Sequence, residues 1–530
     1  MRKKDKNLWI YREAKQVTKK DKFIYSVLFV AGILSIIRFG EWWFRAEHVR
    51  SLFLYILLSM TIWYGIIRIV LIWVNYLKIK KPETKTPVKG LSVAIFTTSS
   101  PGEPLSMFEK TLAACAKIKY PHTTYLLDDT QDIRFKEVAE KNGAVWFELV
   151  GLPGAKAGKV NKALEMTKED FILILDPDHI PFPDFLDKTL GYFEDEKIGF
   201  VQVSQAYYNQ YRSFTAKGAA EQTYTFYGPT MMGLYGHESN VAIGANCVFR
   251  RKALESIGGH GIGLAEDLIT AIRLHAAGWK SVFSPIIVSR GLVPEDFGSF
   301  CKQQLKWSRG LFEVLFAELP RLFKKLNFWQ RISYLSISSY YIVGVTTFFY
   351  ILLPFLFFWA DILPTNMPFN EFIIYGAPII IIAIIIYLFV QRWLCHPEKE
   401  RGIHWRGMIL KFASWPVFFL GALLGVVNAE IPYIPTAKKA VSGLSPYVRP
   451  LIFQVIIFIL TLTYVFYNRI FLLPEWQLDL TSEQVWGMVG FSSLSIIMIL
   501  GGIYAAFESR NLKPEEPWEK IKINEIGRKL

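Results

Sequence analysis

The stretch Phe171–His179, "FILILDPDH", places two aspartates directly after five consecutive apolar residues. A continuous apolar run of this length is typical of a strand that is buried on both faces of a sheet. Residues two apart in extended backbone point to the same side, so Asp176 and Asp178 can present both carboxylates to one cation. Oxygen ligands of this kind suit Mg²⁺ or Mn²⁺. A solvated turn or a helix cap is the alternative explanation of the pair.

Short apolar runs alternate with helical patterns on either side of this stretch. Strands are predicted over 91–98, 123–129, 144–150 and 171–175, and helices over 105–118, 135–143 and 159–167. This alternation predicts βαβ units and a mostly parallel sheet covered on both faces. Ligands of open α/β sheets bind at the carboxyl ends of the strands. Asp128 and Asp129, at the end of the second strand, therefore join Asp176 and Asp178 as candidate site residues.

Two further motifs lie on predicted helices. Glu266 and Asp267 open an amphipathic pattern over 263–279, where a carboxylate can act either as a general base or simply as a helix cap. Gln303, Lys306 and Trp307 are spaced i, i+3 and i+4, and so share one helix face. Taken alone, that face is an ordinary amphipathic surface. If a ligand lies beside this face, the Lys306 ammonium would offset negative charge on the ligand and the Trp307 indole would stack on a sugar ring.

Composition indicates a membrane protein of more than one structural unit. The chain has 530 residues, of which 52% are hydrophobic and 15% aromatic. Its net charge is +14, but much of the basic excess lies at the termini and in loops, which gives little support to a role with nucleic acid. The four cysteines form no CxxC pair, which predicts buried thiols rather than a zinc site or a disulfide framework: Cys115, Cys247, Cys301 and Cys395.

Six apolar runs are long enough, or nearly so, to span a membrane: 23–39, 51–77, 334–360, 371–390, 450–470 and 485–507. A seventh run, 408–428, is flanked by basic residues and is interpreted as an interfacial or re-entrant helix, with an ordinary span as the alternative. The loops 361–370 and 471–484 contain no Lys or Arg, which places them outside and both tails in the cytosol. We therefore expect a multi-pass plasma-membrane protein.

Three regions follow from this topology. Residues 1–81 hold the cytosolic N-terminal tail and two spans, and residues 82–333 form a cytosolic domain with interface helices. Residues 334–530 hold four spans, an interfacial helix and loop near 404–449, and a short cytosolic tail. We expect no cyclic-dinucleotide-binding β-barrel in this chain, because few residues follow 508.

As an ordered set, these motifs resemble those of the membrane-embedded processive glycosyltransferases of family 2, the group of cellulose, chitin and hyaluronan synthases. The resemblance rests on Asp128–Asp129, Asp176-x-Asp178, Glu266–Asp267 (the family's TED, here AED) and Gln303-x-x-Lys306-Trp307 (the family's QxxRW). It covers about 90–310, where 156–164 and 243–254 are also similar to family segments. It extends more loosely to Ile434–Lys438, "IPTAK", where the cellulose-synthase branch carries its gating loop.

This resemblance implies a GT-A fold, an α/β Rossmann-like domain inserted between transmembrane α-helices, and inverting transfer from a nucleotide-diphosphate sugar. Asp267 would be the base that takes the acceptor proton, and Trp307 and Glu266 would bind the acceptor. The implied contacts of the nucleotide-sugar are Thr97, Asp128, Asp129, Lys156, Asp176, Gln303 and Lys306. The implied ligands of Mg²⁺ or Mn²⁺ are Asp176, Asp178 and His179.

The sequence departs from the family pattern at three places. Lys306 stands where the family has arginine, so the diphosphate contact would lack a bidentate fork. Ala265 replaces the threonine before Glu266, and "IPTAK" replaces FxVTxK, which weakens the analogy with a gating loop.

The segments 200–209 and 273–279 resemble the cellulose-synthase branch. We therefore predict that UDP-glucose is polymerised into cellulose or a mixed-linkage β-glucan and that the polymer crosses the plasma membrane. The alternatives are a hyaluronan- or chitin-type synthase that uses UDP-GlcNAc, a non-processive enzyme with a lipid acceptor, and a transporter or binding protein with an inactive domain. The predicted partners are the UDP-sugar, the growing polysaccharide and membrane lipids. An accessory subunit is left open as a further partner, and nucleic acid is not expected to be one.

Overall fold

The computed structural model describes residues 8–360, 362–432, 436–471 and 482–527. The strands are β1 (Arg12–Glu13), β2 (Val93–Thr98), β3 (Thr123–Asp128), β4 (Val145–Glu148), β5 (Phe171–Ile174), β6 (Ile180–Pro181), β7 (Ile198–Val203), β8 (Cys247–Arg250), β9 (Lys280–Ser284), β10 (Ile286–Ile287) and β11 (Ser289–Arg290). The first helices are α1 (Lys19–Trp43), α2 (Leu52–Leu77), α3 (Leu105–Cys115), α4 (Ile133–Lys141), α5 (Ala155–Met166), α6 (Phe214–Glu221), α7 (Met231–Gly236), α8 (Arg251–Ser256), α9 (Glu266–Ala276) and α10 (Phe297–Glu313). The remaining helices are α11 (Leu319–Leu322), α12 (Phe328–Ser338), α13 (Val343–Ala360), α14 (Phe369–Val390), α15 (Pro397–Glu400), α16 (Trp405–Ala413), α17 (Trp415–Val426), α18 (Arg449–Phe471) and α19 (Ser482–Arg510).

A seven-stranded sheet with the order β4-β3-β2-β5-β8-β7-β9 forms the centre of the α/β region. The β4-β3-β2-β5 half is parallel throughout, and β7 is also parallel to β9. Strand β8 runs antiparallel to both of its neighbours. The predicted mostly parallel sheet is therefore confirmed, and each element predicted between 91 and 175 is present within a few residues of its expected bounds. The antiparallel strand β8 was not among the predicted strands.

Strand β5 lies near the middle of this sheet, between β2 and β8. All four of its residues are buried, as its continuous apolar sequence predicts. Because β5 is a central strand, the residues that follow its carboxyl end lie midway along the edge that the strand ends form. This position brings Asp176, Asp178 and His179 to the centre of the α/β region rather than to its periphery.

Six helical segments of the described residues are long and apolar enough to cross a membrane, in agreement with the six predicted spans. They are Lys19–Trp43, Leu52–Leu77, Phe328–Ala360, Phe369–Trp393, Pro446–Tyr467 and Gln484–Arg510. The predicted interfacial segment 408–428 forms α16 and α17, which meet at a bend of 50°. Since either a broken span or a re-entrant segment has this shape, the interfacial interpretation stays a prediction.

Helix α17 packs directly against α10, the helix that carries Gln303, Lys306 and Trp307. Two glycines of α17, Gly421 and Gly425, face Ser308 and Phe312 of α10. A Cβ atom at Gly425 would lie 2.5 Å from the Cβ of Phe312, so the absence of a side chain permits the close approach. The bent pair of helices is therefore fixed to the α/β region.

Both tails also pack on the α/β region. Strand β1 pairs antiparallel with β10, and the amide of Gly527 donates a hydrogen bond of 2.8 Å to the carbonyl of Trp9. Some predictions lie outside the described residues: the first part of the "IPTAK" segment (434–435), most of the loop 471–484, residue 361, and the basic residues Arg2, Lys3, Lys4, Lys6, Arg528 and Lys529.

Candidate active site

Three potential metal ligands follow β5 directly. One ligand atom each from Asp176, Asp178 and His179 can be chosen so that all three lie within 4.8 Å of one another. The imidazole Nδ1 of His179 lies 3.0 Å from Oδ1 of Asp178. Its buried Nε2 has no hydrogen-bond partner among the described residues. Two carboxylates and an imidazole with an unsatisfied nitrogen fit a divalent cation with oxygen and nitrogen ligands.

Lysines hold both aspartates in the ionised form. Burial alone would raise the pKa of Asp176, but the Lys156 ammonium, 2.5 Å from its Oδ1, holds this pKa below the usual range. Burial also opposes the ionisation of Asp178, yet Lys438, whose Nζ lies 3.1 Å from Oδ2, lowers its pKa. Two carboxylates that stay charged at neutral pH are suited to hold a cation.

Glu103 is a further acid at this cluster that the sequence analysis did not single out. It lies in the loop after β2, where its Oε1 is 3.9 Å from Nζ of Lys438. Burial raises its pKa to about 7, although Lys438 opposes the shift. The signal for Glu103 was its position after a buried parallel strand, the same argument that selected Asp128 and Asp176. Lys438 belongs to the "IPTAK" segment that the resemblance singled out, but nothing in the sequence predicted its contact with Asp178, 260 residues away along the chain.

The acid pair Glu266–Asp267 lies in the first turn of α9, as predicted. The N-cap residue is Ala265, which has no polar side chain to cap the helix. Burial, followed by the neighbouring Glu266 carboxylate, raises the pKa of Asp267 to about 7. Gly244 approaches this carboxylate closely, since a Cβ there would lie 3.3 Å from Oδ2 of Asp267. The carbonyl of Gly244 also accepts a hydrogen bond of 2.5 Å from Lys156. The 243–254 segment thus links the metal cluster to the candidate base.

Helix α10 brings the third motif to the same place. Its N-cap, Asp296, accepts a hydrogen bond of 2.8 Å from the amide of Ser299 and fixes where the helix begins. Gly310 permits α10 to cross the start of α9, because a Cβ there would lie 3.0 Å from the amide nitrogen of Ala265. Burial lowers the pKa of Lys306, while Glu266 opposes the shift. Trp307 is 37% exposed, so its ring face can receive a ligand.

One cavity of about 650 Å³ joins these groups. Nine of the predicted site residues line it: Lys156, Asp176, Asp178, His179, Glu266, Asp267, Gln303, Lys306 and Trp307. The same cavity reaches residues of three candidate spans, with Arg68, Ile72 and Asn75 from α2, Ser336, Ile337 and Tyr340 from Phe328–Ala360, and Tyr387 from α14. The space beside the carboxylates is thus continuous with the helical bundle.

Three predicted site residues do not line this cavity. The carboxylate of Asp128 is satisfied within the protein, by the Ser99 hydroxyl and by the Trp146 indole at 3.0 Å. Asp129 retains an exposed fraction of 24% and lies 3.3 Å from the Lys159 ammonium. Thr97 is fully buried, and its hydroxyl has no hydrogen-bond partner in the described part of the chain. This arrangement favours Asp129 over Asp128 as a direct ligand contact.

Comparison with known families agrees with this geometry. Residues 93–310 match the model described as glycosyltransferase like family 2, and residues 255–406 match the model described as cellulose synthase. The 93–310 region is therefore similar to family 2 glycosyltransferases, and the predicted α/β fold class is confirmed by the mostly parallel sheet. The 255–406 region is similar to cellulose synthases, as are the curated relatives of this chain.

Two curated relatives are named cellulose synthase catalytic subunit (UDP-forming). The protein of Komagataeibacter sucrofermentans is 30% identical over 269 residues, which cover 49% of this chain and 36% of the relative. The protein of Xanthomonas axonopodis pv. citri is 29% identical over 252 residues, which cover 46% and 35%. The chain thus matches about a third of the length of these relatives. Among solved structures, a mannosyltransferase from Pyrobaculum calidifontis in complex with GDP-Man and Mn²⁺ is similar to this chain, with 16% sequence identity and a TM-score of 0.49. The match covers 71% of this chain and 100% of the mannosyltransferase.

Proposed function

We propose that this protein is a processive inverting glycosyltransferase that transfers sugar from a UDP-sugar, UDP-glucose in the first instance, onto a growing β-linked glucan. The observation that carries the proposal is the single cavity that contains the candidate metal ligands, the candidate base and Trp307, and that continues between the candidate spans. The similarity to UDP-forming cellulose synthases supports the donor and the product.

The reaction assigns a task to each of the chain's own groups. The acceptor hydroxyl attacks the anomeric carbon while the bond from that carbon to the UDP oxygen breaks, so an α-linked donor gives a β-linked product. Asp267 takes the hydroxyl proton, and its raised pKa suits a base that works near neutral pH. The ammonium groups of Lys156 and Lys306 offset the charge that develops on the departing diphosphate. Trp307 holds the terminal sugar of the acceptor against its ring.

The proposed cation site consists of Asp176 and Asp178, with His179 as a further ligand. A bound Mg²⁺ or Mn²⁺ would supply positive charge at the diphosphate. We expect chelation to abolish transfer and excess Mg²⁺ or Mn²⁺ to restore it. Asp178→Asn should lose the response to metal, whereas Asp132→Asn, the same change at a helix cap that does not line the cavity, should keep it. Full activity of Asp178→Asn in the presence of chelator would reject the metal site.

The proposed topology places the glycosyltransferase domain in the cytosol and the spans in the plasma membrane, with the division 1–81, 82–333 and 334–530 predicted from the sequence. Donor would then enter from the cytosol, and the polymer would leave through the bundle. The contact of the cavity with α2 and α14 supports this route.

The decisive test is a donor screen on the purified full chain. Labelled UDP-glucose should give a high-molecular-weight product that a β-glucanase degrades, and UDP release should fall about a hundredfold or more in Asp267→Asn. Linkage analysis of the product then separates cellulose from a mixed-linkage glucan. Incorporation only from UDP-GlcNAc would favour a hyaluronan- or chitin-type synthase instead.

A non-processive enzyme with a lipid acceptor is another alternative. It predicts a short, solvent-extractable product and a reaction that tolerates the loss of Trp307. Trp307→Ala should shorten the polymer in the proposed mechanism and leave the yield of a single-sugar product unchanged in the alternative.

A further inference from the structure

The segment after the last candidate span, Leu512–Gly527, returns to the α/β region and packs on α3. Trp518 is fully buried, and its indole donates a hydrogen bond of 3.0 Å to the hydroxyl of Ser106. That hydroxyl donates in turn to Oε2 of Glu516, at 2.5 Å. Ser106 lies three residues after Glu103, so this segment supports the loop that brings Glu103 to the cavity.

Glu516 has a second partner in the loop that reaches the candidate metal cluster. Its Oε1 forms an ion pair with Lys439, the residue next to Lys438. The side chain of Glu516 is 22% exposed and that of Lys439 38% exposed, so the pair is partly shielded from solvent. The amide of Val441 also donates a hydrogen bond of 3.1 Å to Asp296, the N-cap of α10. The loop 436–441 is thus fixed at both of these points while Lys438 extends to Asp178.

Together, these contacts form a closed circuit of interacting residues between Glu516 and the candidate metal cluster. One side runs from Glu516 through Lys439 to Lys438, and the other runs from Glu516 through Ser106 to Glu103. The two sides meet where the Lys438 ammonium lies 3.1 Å from Asp178 and 3.9 Å from Glu103. The ammonium therefore lies against Oδ2 of Asp178, one of the proposed metal ligands, and its position depends on how the loop is held.

We infer that Glu516 is a positioning residue, which holds the loop 436–441 so that Lys438 lies against Asp178. Glu516 itself is not among the residues that line the cavity. Loss of its charge should free the loop, and Lys438 should then compete less well with a cation for Asp178. This consequence for metal rests on the proposed metal site, whereas the consequence for the loop does not.

The first test measures the loop directly, by hydrogen exchange of the purified full chain without metal or nucleotide. Exchange across 436–441 should be faster in Glu516→Lys than in the wild type. The double variant Lys439→Glu with Glu516→Lys restores an ion pair of opposite polarity and should return exchange to near the wild-type rate. Glu519→Lys, the same charge change at an exposed position of the same segment, serves as the matched control and should leave exchange unchanged. Unchanged exchange in Glu516→Lys, or faster exchange that the double variant does not reverse, overturns the inference.

The second test measures the binding of Mn²⁺ alone, without donor. Lys438→Gln removes the competing ammonium and sets the upper limit of metal affinity. Glu516→Lys should bind Mn²⁺ about threefold more tightly than the wild type, in the range expected for a half-exposed ion pair, and the double variant should revert. Tighter binding in Lys438→Gln but not in Glu516→Lys overturns the inference. If Mn²⁺ binds to none of the variants, the proposed metal site fails, and the exchange measurement still decides the role of Glu516.

Discussion

Burial brings the pKa of the Asp267 carboxyl group close to neutral pH. Its pKa is raised to about 7 by removal from water and then by the charge of Glu266, and Lys156 offsets part of this shift. The sequence placed Asp267 in the first turn of a helix, a position that ordinarily favours the ionised form. Burial of that turn under Gly244 and α10 depends on residues far apart in the chain, and it reverses the expected direction of the pKa shift.

We expect the rate of transfer to depend on the ionised form of Asp267. The rate should be low in acid, rise with pH through about 7, where the carboxyl loses its proton, and level off above. Glu266→Gln removes a negative neighbour, so it should move this rise to lower pH. The measurement is the initial rate of UDP release at saturating donor across the pH range. A flat profile, or a rise that Glu266→Gln leaves in place, would contradict the assignment of Asp267 as the base.

Sequence reasoning missed Glu103, although its position after a buried strand was a usable signal, and it missed the contact of Lys438 with Asp178, for which no local pattern existed. Asp176 and Asp178 follow a buried strand, and Glu266 and Asp267 open an amphipathic helix, so periodicity located all four. Lys438 reaches Asp178 from a loop between two helical segments, where nothing in the neighbouring sequence fixes its direction. Long-range ion pairs of this kind follow from the packing of whole elements and cannot be read from one window of sequence.

At the scale of elements, α10 combines two faces with different tasks. Lys306 and Trp307 point into the cavity, whereas Ser308 and Phe312 pack on the glycines of α17. The spacing of Gln303, Lys306 and Trp307 predicted the first face correctly. The second face was not predicted, because the only sequence feature that marks its contact with α17 is the lack of side chains at Gly421 and Gly425.

Lys306 should contribute to donor binding through charge. Lys306→Gln is expected to raise the KM for the UDP-sugar about tenfold, the effect of losing one charge-assisted hydrogen bond to a phosphate. Lys302→Gln, the same change at an exposed site one turn earlier in α10, is the control and should leave KM unchanged. Steady-state kinetics with UDP-glucose gives both values. Equal KM values for the two variants would remove Lys306 from the donor site.

Close packing of α10 on α17 should make Gly425 sensitive to any added side chain. Gly425→Ala places a methyl group 2.5 Å from the Cβ of Phe312, and we expect it to cost about 1–3 kcal/mol of stability. Gly490→Ala is the matched control, since a Cβ at that position of α19 meets nothing within 4 Å. Thermal unfolding in detergent compares the two variants. Equal midpoints would show that the two helices can separate without cost.

At the scale of the whole molecule, six spans were predictable because apolar length alone identifies them. The α/β class was predictable from the alternation of strand and helix patterns. The attachment of both tails to the α/β region was not, since single contacts such as Gly527 with Trp9 carry no periodic signal. The bend of 50° between α16 and α17 was likewise invisible to hydropathy, which reads 408–428 as one run.

Thiol labelling of intact cells can decide whether the bent pair crosses the membrane. The four native cysteines are all buried, so single introduced cysteines should react over a low background. Glu47→Cys, in the loop between the first two spans, should react with an impermeant reagent, and Lys168→Cys should react only after permeabilisation. Val441→Cys, at a site that is 53% exposed, should behave like Lys168→Cys. External labelling of Val441→Cys would establish a seventh crossing and reverse the last two spans.

The glycine contacts between α17 and α10 have a mechanical consequence. A helix seated in or on the lipid touches, through rigid backbone, the element that holds Trp307. Acyl chains of different length tilt membrane helices to different extents. We therefore expect bilayer thickness to affect the proposed acceptor site at Trp307, so that the fatty-acid composition of the membrane would influence the rate of the proposed transfer.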